Sequence, residues 1–194
     1  MRQEYRRRLN LTPALAGNCV KIKADLQRAK TSGETFRQAA AIYSNYAGNP
    51  SMFVRFQQMD LTLHVESSSG ELTGYERIAC EQPTAGPTAI PLTSRKSVHF
   101  PDIRSNRIEL FDDCTVEEDR ALRVATPVGF SKKTGSVLIT PLGLERSTSL
   151  GFGFIYEYNE ENPFSLASIA SARTYSSLFT LNIFTKHIAE LTGE

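Results

Sequence analysis

Between residues 102 and 123 the chain carries Asp102, Arg104, Asn106, Arg107, Arg120 and Arg123. Four arginines in so short a stretch can receive a carboxylate or a phosphate, because the planar guanidinium fork donates paired hydrogen bonds to either group. If a sheet and a loop spanning 101–126 enclose a pocket, these six residues are the polar groups near its mouth. The competing reading pairs the same arginines on the surface with Glu109, Asp112, Asp113, Glu117 or Glu118.

Other reactive side chains do not assemble into a recognisable motif. His64, His99 and His187 sit in unrelated contexts, and no Gly-x-Ser-x-Gly elbow is present. The histidines show no i, i+4 pairing and no acidic companion at ligand spacing, so no metal site is assigned. Asp112 and Asp113 beside Cys114 read as a solvated turn. No glycine-rich phosphate loop precedes a helix. The expectation is a protein that is not an enzyme and has no cofactor. Cys19, Cys80 and Cys114 are an odd number, widely spaced and without a Cys-x-x-Cys pair, which reads as free thiols in a reducing compartment, the cytoplasm.

The elements that must position these groups follow from periodicity. Leu11, Leu15, Val20, Ile22 and Leu26 form an apolar stripe that predicts a helix over 11–30. Thr31 and Glu34 have the spacing of a capping box and open a second helix to about Tyr46, closed by Gly48-Asn49-Pro50. From Met52 the pattern alternates. Strands are expected at 53–56, 61–65 and 75–80, with a turn at 67–70, a loop over 82–97 and a short strand at 97–100. Residues 103–115 read as irregular. Thr115 and Glu118 repeat the capping-box spacing, predicting a short helix to about Val124. Strands follow at 136–142 and 150–158. The second places Phe152, Phe154, Tyr156 and Tyr158 on one face, a core stripe, with Gly151 and Gly153 opposite. Asn162-Pro163 reads as the start of a final helix to about Leu191, with Leu166, Ile169, Ala170, Leu178, Leu181 and Ile188 inside.

Helices at both ends and strands between them fit an α+β fold, a central antiparallel sheet with helices packed on one face. Four segments in this order resemble a GAF domain: Val98-His99-Phe100-Pro101-Asp102-Ile103, Ser136 to Leu142 with its Pro-Leu ending, Leu150-Gly151-Phe152-Gly153-Phe154-Ile155, and Pro163-Phe164-Ser165 leading into an apolar helix. The resemblance covers roughly 31–191. It implies a GAF/PAS-like sheet with adjacent N- and C-terminal helices that commonly pair into a dimer bundle. Bilin-binding members use an attachment cysteine usually followed by His, whereas Cys19, Cys80 and Cys114 are followed by Val, Glu and Thr. Sulfoxide-reducing members need clustered cysteines, a spacing not seen here.

The expected organisation is a basic N-terminal arm or helix, 1–30, and a GAF-like domain, 31–194. The first segment carries eight basic side chains against Glu4 and Asp25, a net of +6, which leaves −5 for the rest of a chain whose total is +1. No stretch is apolar enough to span a membrane. The functional expectation is a non-enzymatic sensory or regulatory domain that binds a small molecule or anion and signals through a protein partner or a homodimer. The alternatives are a ligand-free interaction module, or a transcription-associated regulator that meets nucleic acid through residues 1–30.

Overall fold

The computed structural model describes residues 12–57, 62–67, 96–102, 104, 107–112, 115–121, 135–143 and 153–193. Thr12 Oγ1 accepts a hydrogen bond from the Leu15 amide at 3.2 Å, and Pro13 takes the first helical position, where a missing N–H costs nothing. Helix α1 therefore runs Pro13–Arg28. The capping box at Thr31 and Glu34 is present, with the Glu34 amide donating to Thr31 Oγ1 at 3.0 Å. It opens helix α2, Ser32–Ala47, which ends on Gly48 in the left-handed region at φ 75°.

Strands β1 (Ser51–Gln57), β2 (Thr62–Ser67), β3 (Ser97–Phe100), β4 (Arg107–Asp112), β5 (Thr115–Ala121), β6 (Ser136–Leu142) and β7 (Gly153–Asn159) follow, then helix α3, Leu166–Thr192. The strands form one seven-stranded sheet in the order β2-β1-β7-β6-β3-β4-β5. Every neighbouring pair is antiparallel. The α+β class and the central antiparallel sheet are as expected, and among the described residues the helices pack on one face.

Strand alternation divides the core in two. Phe53, Phe111, Leu138, Leu142 and Ile155 pack against Ile22 and Leu26 of α1, Phe36, Ala39, Ala40 and Tyr43 of α2, and Ile169, Ala172, Tyr175, Phe179 and Ile183 of α3. Their neighbours along the strands form a second cluster: Met52, Val54, Val98, Phe100, Ile108, Leu110, Val137, Ile139, Phe154 and Tyr156. These ten side chains are buried on the face away from the three helices. Phe154, Tyr156 and Tyr158 share that face, as the aromatic stripe predicts. At the centre of the helical layer Phe53 stacks on Phe179 and Tyr43, with ring centroids 5.1 and 5.6 Å apart. The N- and C-terminal helices are adjacent, and Asn18 Nδ2 of α1 donates to the Tyr175 hydroxyl of α3 at 3.0 Å.

Three expectations are corrected. The helix expected from Thr115 is strand β5, and the irregular 103–115 contains strand β4. The two form a hairpin whose register shifts by one residue between Leu110 and Phe111. The capping-box spacing is a local signal. Here it yields to pairing with a strand whose Ile108 and Leu110 fill one face while Phe111 fills the other. Helix α3 starts later than Asn162-Pro163: Ser165 is its N-cap and accepts from the Ser168 amide at 3.1 Å. Its inward face also differs. Leu166, Leu181 and Ile188 are exposed, whereas Ser176 and Thr180 turn inward. They do so because each has a partner there: Ser176 Oγ donates to the Pro141 carbonyl at 2.5 Å, and the Gly143 amide donates to Thr180 Oγ1 at 3.2 Å. The expected strand 75–80, the turn at 68–70 and the loop over 82–95 lie outside the described residues.

Gly135, at the entry to β6, has φ 124°, and a β-carbon there would meet the Asn159 carbonyl oxygen at 2.4 Å and Glu160 Cα at 2.9 Å. Both conflicts are with backbone, so no side-chain movement relieves them. Gly135→Ala should cost about 2 kcal/mol or more, seen as a fall in Tm of roughly 4–8 °C in thermal unfolding; an unchanged Tm would contradict this packing.

Candidate functional site

The short strand β3 sends Ser97 and His99 to the helical side of the sheet and Val98 and Phe100 to the other. His99 is 2% exposed. Its Nδ1 lies 2.8 Å from Glu109 Oε2 on β4 and its Nε2 lies 3.0 Å from Ser136 Oγ on β6. Ser136 Oγ in turn donates to the Phe100 carbonyl at 2.8 Å. Phe164 sits edge-on to the imidazole, with ring centroids 5.9 Å apart. Arg173 of α3 donates to Ser97 Oγ at 3.2 Å beside them.

The connectivity serine–histidine–carboxylate is that of a nucleophile with its base and orienting acid. Its surroundings are not. Ser136 is fully buried and its hydroxyl is bonded to a backbone carbonyl, so it faces no substrate. The array is a structural link joining β4, β3 and β6. Burial pulls the His99 pKa below the ordinary histidine value, outweighing the opposing hydrogen bond and charge of Glu109.

A second buried ionisable group lies on β7. Glu157 is 2% exposed and faces the helical layer, where the Tyr43 hydroxyl of α2 donates to its carboxyl. The Asn49 side chain, in the turn after α2, also hydrogen-bonds it. Burial is the larger influence and pushes the Glu157 pKa up to about 7.

The helix ends are fastened by α3. Lys186 Nζ donates to the carbonyls of Leu26 and Ala29 at 2.5 and 2.6 Å and to Thr35 Oγ1 at 2.8 Å, using all three ammonium protons. One turn on, Glu190 accepts from the amide and hydroxyl of Ser32, both at 2.6 Å. A single helix thus caps the C-terminus of α1 and the N-terminus of α2, with charges that suit each end.

The six residues singled out from the sequence are distributed as follows. Asp102 and Arg104 are exposed, and the Arg104 amide donates to Asp102 Oδ1 at 2.9 Å. Arg107 begins β4 and Arg120 lies near the end of β5, in register with Ala121 and Ile108 respectively. Asn106 and Arg123 lie outside the described residues. The structure therefore brings positions 107 and 120 together on adjacent strands of a hairpin rather than in a loop. Glu109, one of the proposed surface partners of the arginines, is the partner of His99. Sequence reasoning missed His99, Glu109, Ser136, Tyr43 and Glu157. The signal for Glu157 was available, since alternation along β7 places it with Ile155 on the helical side. Among the described residues no His/Cys/Asp/Glu group could hold a metal ion, and no helix is long and apolar enough to cross a membrane.

No family model matches the sequence, and no curated protein does. Solved structures do match. The phycoerythrobilin-bound GAF domain of a cyanobacterial phytochrome superposes with a TM-score of 0.62 at 13% identity, covering 91% of this chain and 97% of that one. The GAF domain of an Acinetobacter phosphoenolpyruvate-protein phosphotransferase gives 0.61 at 13% identity, covering 91% and 96%. Free methionine-R-sulfoxide reductase from Neisseria meningitidis, in complex with its substrate, gives 0.62 at 12% identity, covering 90% and 91%. The chain has a GAF-like fold.

A depressed histidine pKa has a defined sign in stability. The unfolded chain takes up a proton at His99 more readily than the folded one, so the stability present above the ordinary histidine pKa is lost as pH falls through the folded value. His99→Gln should therefore lose less stability than the parent between about pH 7 and about pH 5 in urea unfolding. Parallel losses in the two proteins would contradict the lowered pKa of the buried imidazole.

Proposed function

We propose that this chain is a non-enzymatic sensory domain that binds a small molecule or anion on the face of the sheet opposite the helices. One observation carries the reading. Ten buried apolar side chains, among them Phe100, Phe154 and Tyr156, make that face an extended apolar floor, and the arginine-bearing β4–β5 hairpin forms the edge of the same sheet. An apolar floor with a few charged groups at its rim is the usual composition of a ligand site. Arg120 is in register with Ile108, a member of the apolar floor, so its position belongs to that face; Arg107, one residue away from that register, belongs to the other. The exposed Asp102 and Arg104 are assigned to the rim in this reading. One neighbouring GAF domain carries phycoerythrobilin and the reductase holds its substrate, which supports ligand binding by this fold. Covalent bilin attachment is not part of the proposal, because none of the three cysteines is followed by His.

A second reading, signalling through a homodimer, is favoured by α3. Leu181, Ile188 and Leu191 are exposed, and with the half-buried Phe184 they follow the 3-4-3 spacing of a helix-pairing seam. In the ligand reading this seam is the output surface; in the alternative it is the whole function. Sedimentation equilibrium decides whether the seam pairs, a monomer at micromolar concentration removing it.

The experiment for ligand binding is a thermal-shift screen against nucleotides, carboxylates and inorganic anions. A ligand specific for the folded state adds about 2.7 kcal/mol of stability at a hundredfold excess over its Kd. A dose-dependent rise is expected, with Arg120→Ala weakening binding roughly tenfold or more and Arg107→Ala much less. Equal effects of the two substitutions would count against the assigned face, and a flat screen would transfer the weight to the dimer.

A further inference from the structure

Glu157 has a consequence that ligand binding does not require. Its carboxyl is enclosed between β7 and the helical layer, and its register neighbours are Ser51 on β1 and Leu138 on β6. From α2 it meets the Tyr43 hydroxyl, and from the following turn the Asn49 side chain. On α3, Tyr175 lies edge-on to Tyr43 with centroids 6.0 Å apart, and its hydroxyl accepts from Asn18 of α1. The two groups that hydrogen-bond the carboxyl, a phenol and an amide, carry no positive charge, and among the described residues no cation is paired with it.

A buried carboxylate held only by neutral donors has lost its water without gaining a counter-charge. The location adds to the penalty. Tyr43 and Asn49 flank the C-terminal end of α2, where free carbonyls carry partial negative charge. Asn49 is already engaged, donating to the Ala47 carbonyl at 3.2 Å and accepting from Asn159 at 3.3 Å. The protonated acid carries no such cost.

We propose that Glu157 is a proton-operated latch between α2 and the sheet: seated when the carboxyl is neutral, loosened when it ionises, so that the helical layer responds to pH near neutrality. The reading is independent of any ligand on the opposite face. The sign follows from linkage. A carboxyl that binds its proton more tightly in the folded chain stabilises that chain at low pH, and the stabilisation is lost as pH rises through the folded value.

The test is thermal unfolding of the full chain and of Glu157→Gln, the neutral isostere, between about pH 5.5 and about pH 8.5. The parent should fall relative to the variant by roughly 5–10 °C across that range, the two being closest at the acidic end. His99 contributes a pH dependence of the opposite sign, but it is common to both proteins and cancels in the difference. Curves that move in parallel would overturn the latch. Should Glu157→Gln not fold, Tyr43→Phe serves: removing the donor should destabilise more at the alkaline end than at the acidic end, and an equal loss at both would overturn the proposal.

Discussion

A β-sheet with apolar side chains on both faces cannot leave either one in water, and this constraint organises the whole molecule. One face is committed. Phe53, Phe111, Leu138 and Ile155 lie under three helices. The other face carries an equally apolar set, Val54, Val98, Ile108, Ile139 and Phe154, on which no helix lies among the described residues. Covering such a surface is worth about 25 cal/mol per Å² of apolar area, so whatever occupies it, chain or ligand, is strongly held. The proposed ligand site lies on this second face.

The committed face must then be held firmly enough to report such a change. Packing supplies most of this through the Tyr43, Phe53, Tyr175 and Phe179 rings. Direction comes from a few polar groups in that apolar layer. Lys186 and Glu190 tie α3 to the ends of α1 and α2, so a shift of one helix is felt by the other two. Glu157 ties α2 to the sheet through the Tyr43 hydroxyl and the Asn49 side chain, both neutral donors. The His99 array joins β4, which bears Arg107, to the centre of the sheet. Buried polar links of this kind leave fewer alternative packings than an apolar layer would.

What could be read from the chain was what depends on neighbours in sequence. The capping box at Thr31 and Glu34, the stop at Gly48 and the alternation along β6 and β7 are local, and all are present. The order of the elements was enough to indicate a GAF-like sheet. Local signals failed where a distant partner decided the outcome. Thr115 and Glu118 look like a cap until β4 pairs with them, and Ser176 and Thr180 look solvated until β6 and Gly143 offer them partners. Ionisable groups on the helical side were overlooked for a related reason: alternation assigns Glu157 a face but says nothing about Tyr43 arriving there from α2. Among the six residues singled out from the sequence, the register of β4 with β5 distinguishes position 120 from position 107.

The most direct test of the central claim is methyl NMR of the Ile, Leu and Val side chains with any ligand that raises the Tm. Val54, Val98, Ile108, Val137 and Ile139 report on one face; Leu138, Ile155, Ile169 and Ile183 report on the other. The account predicts that the first group shifts strongly on saturation while the second moves little. Large shifts confined to the second group would place the ligand among the helices and contradict the proposed assignment of the face opposite the helices as the ligand site.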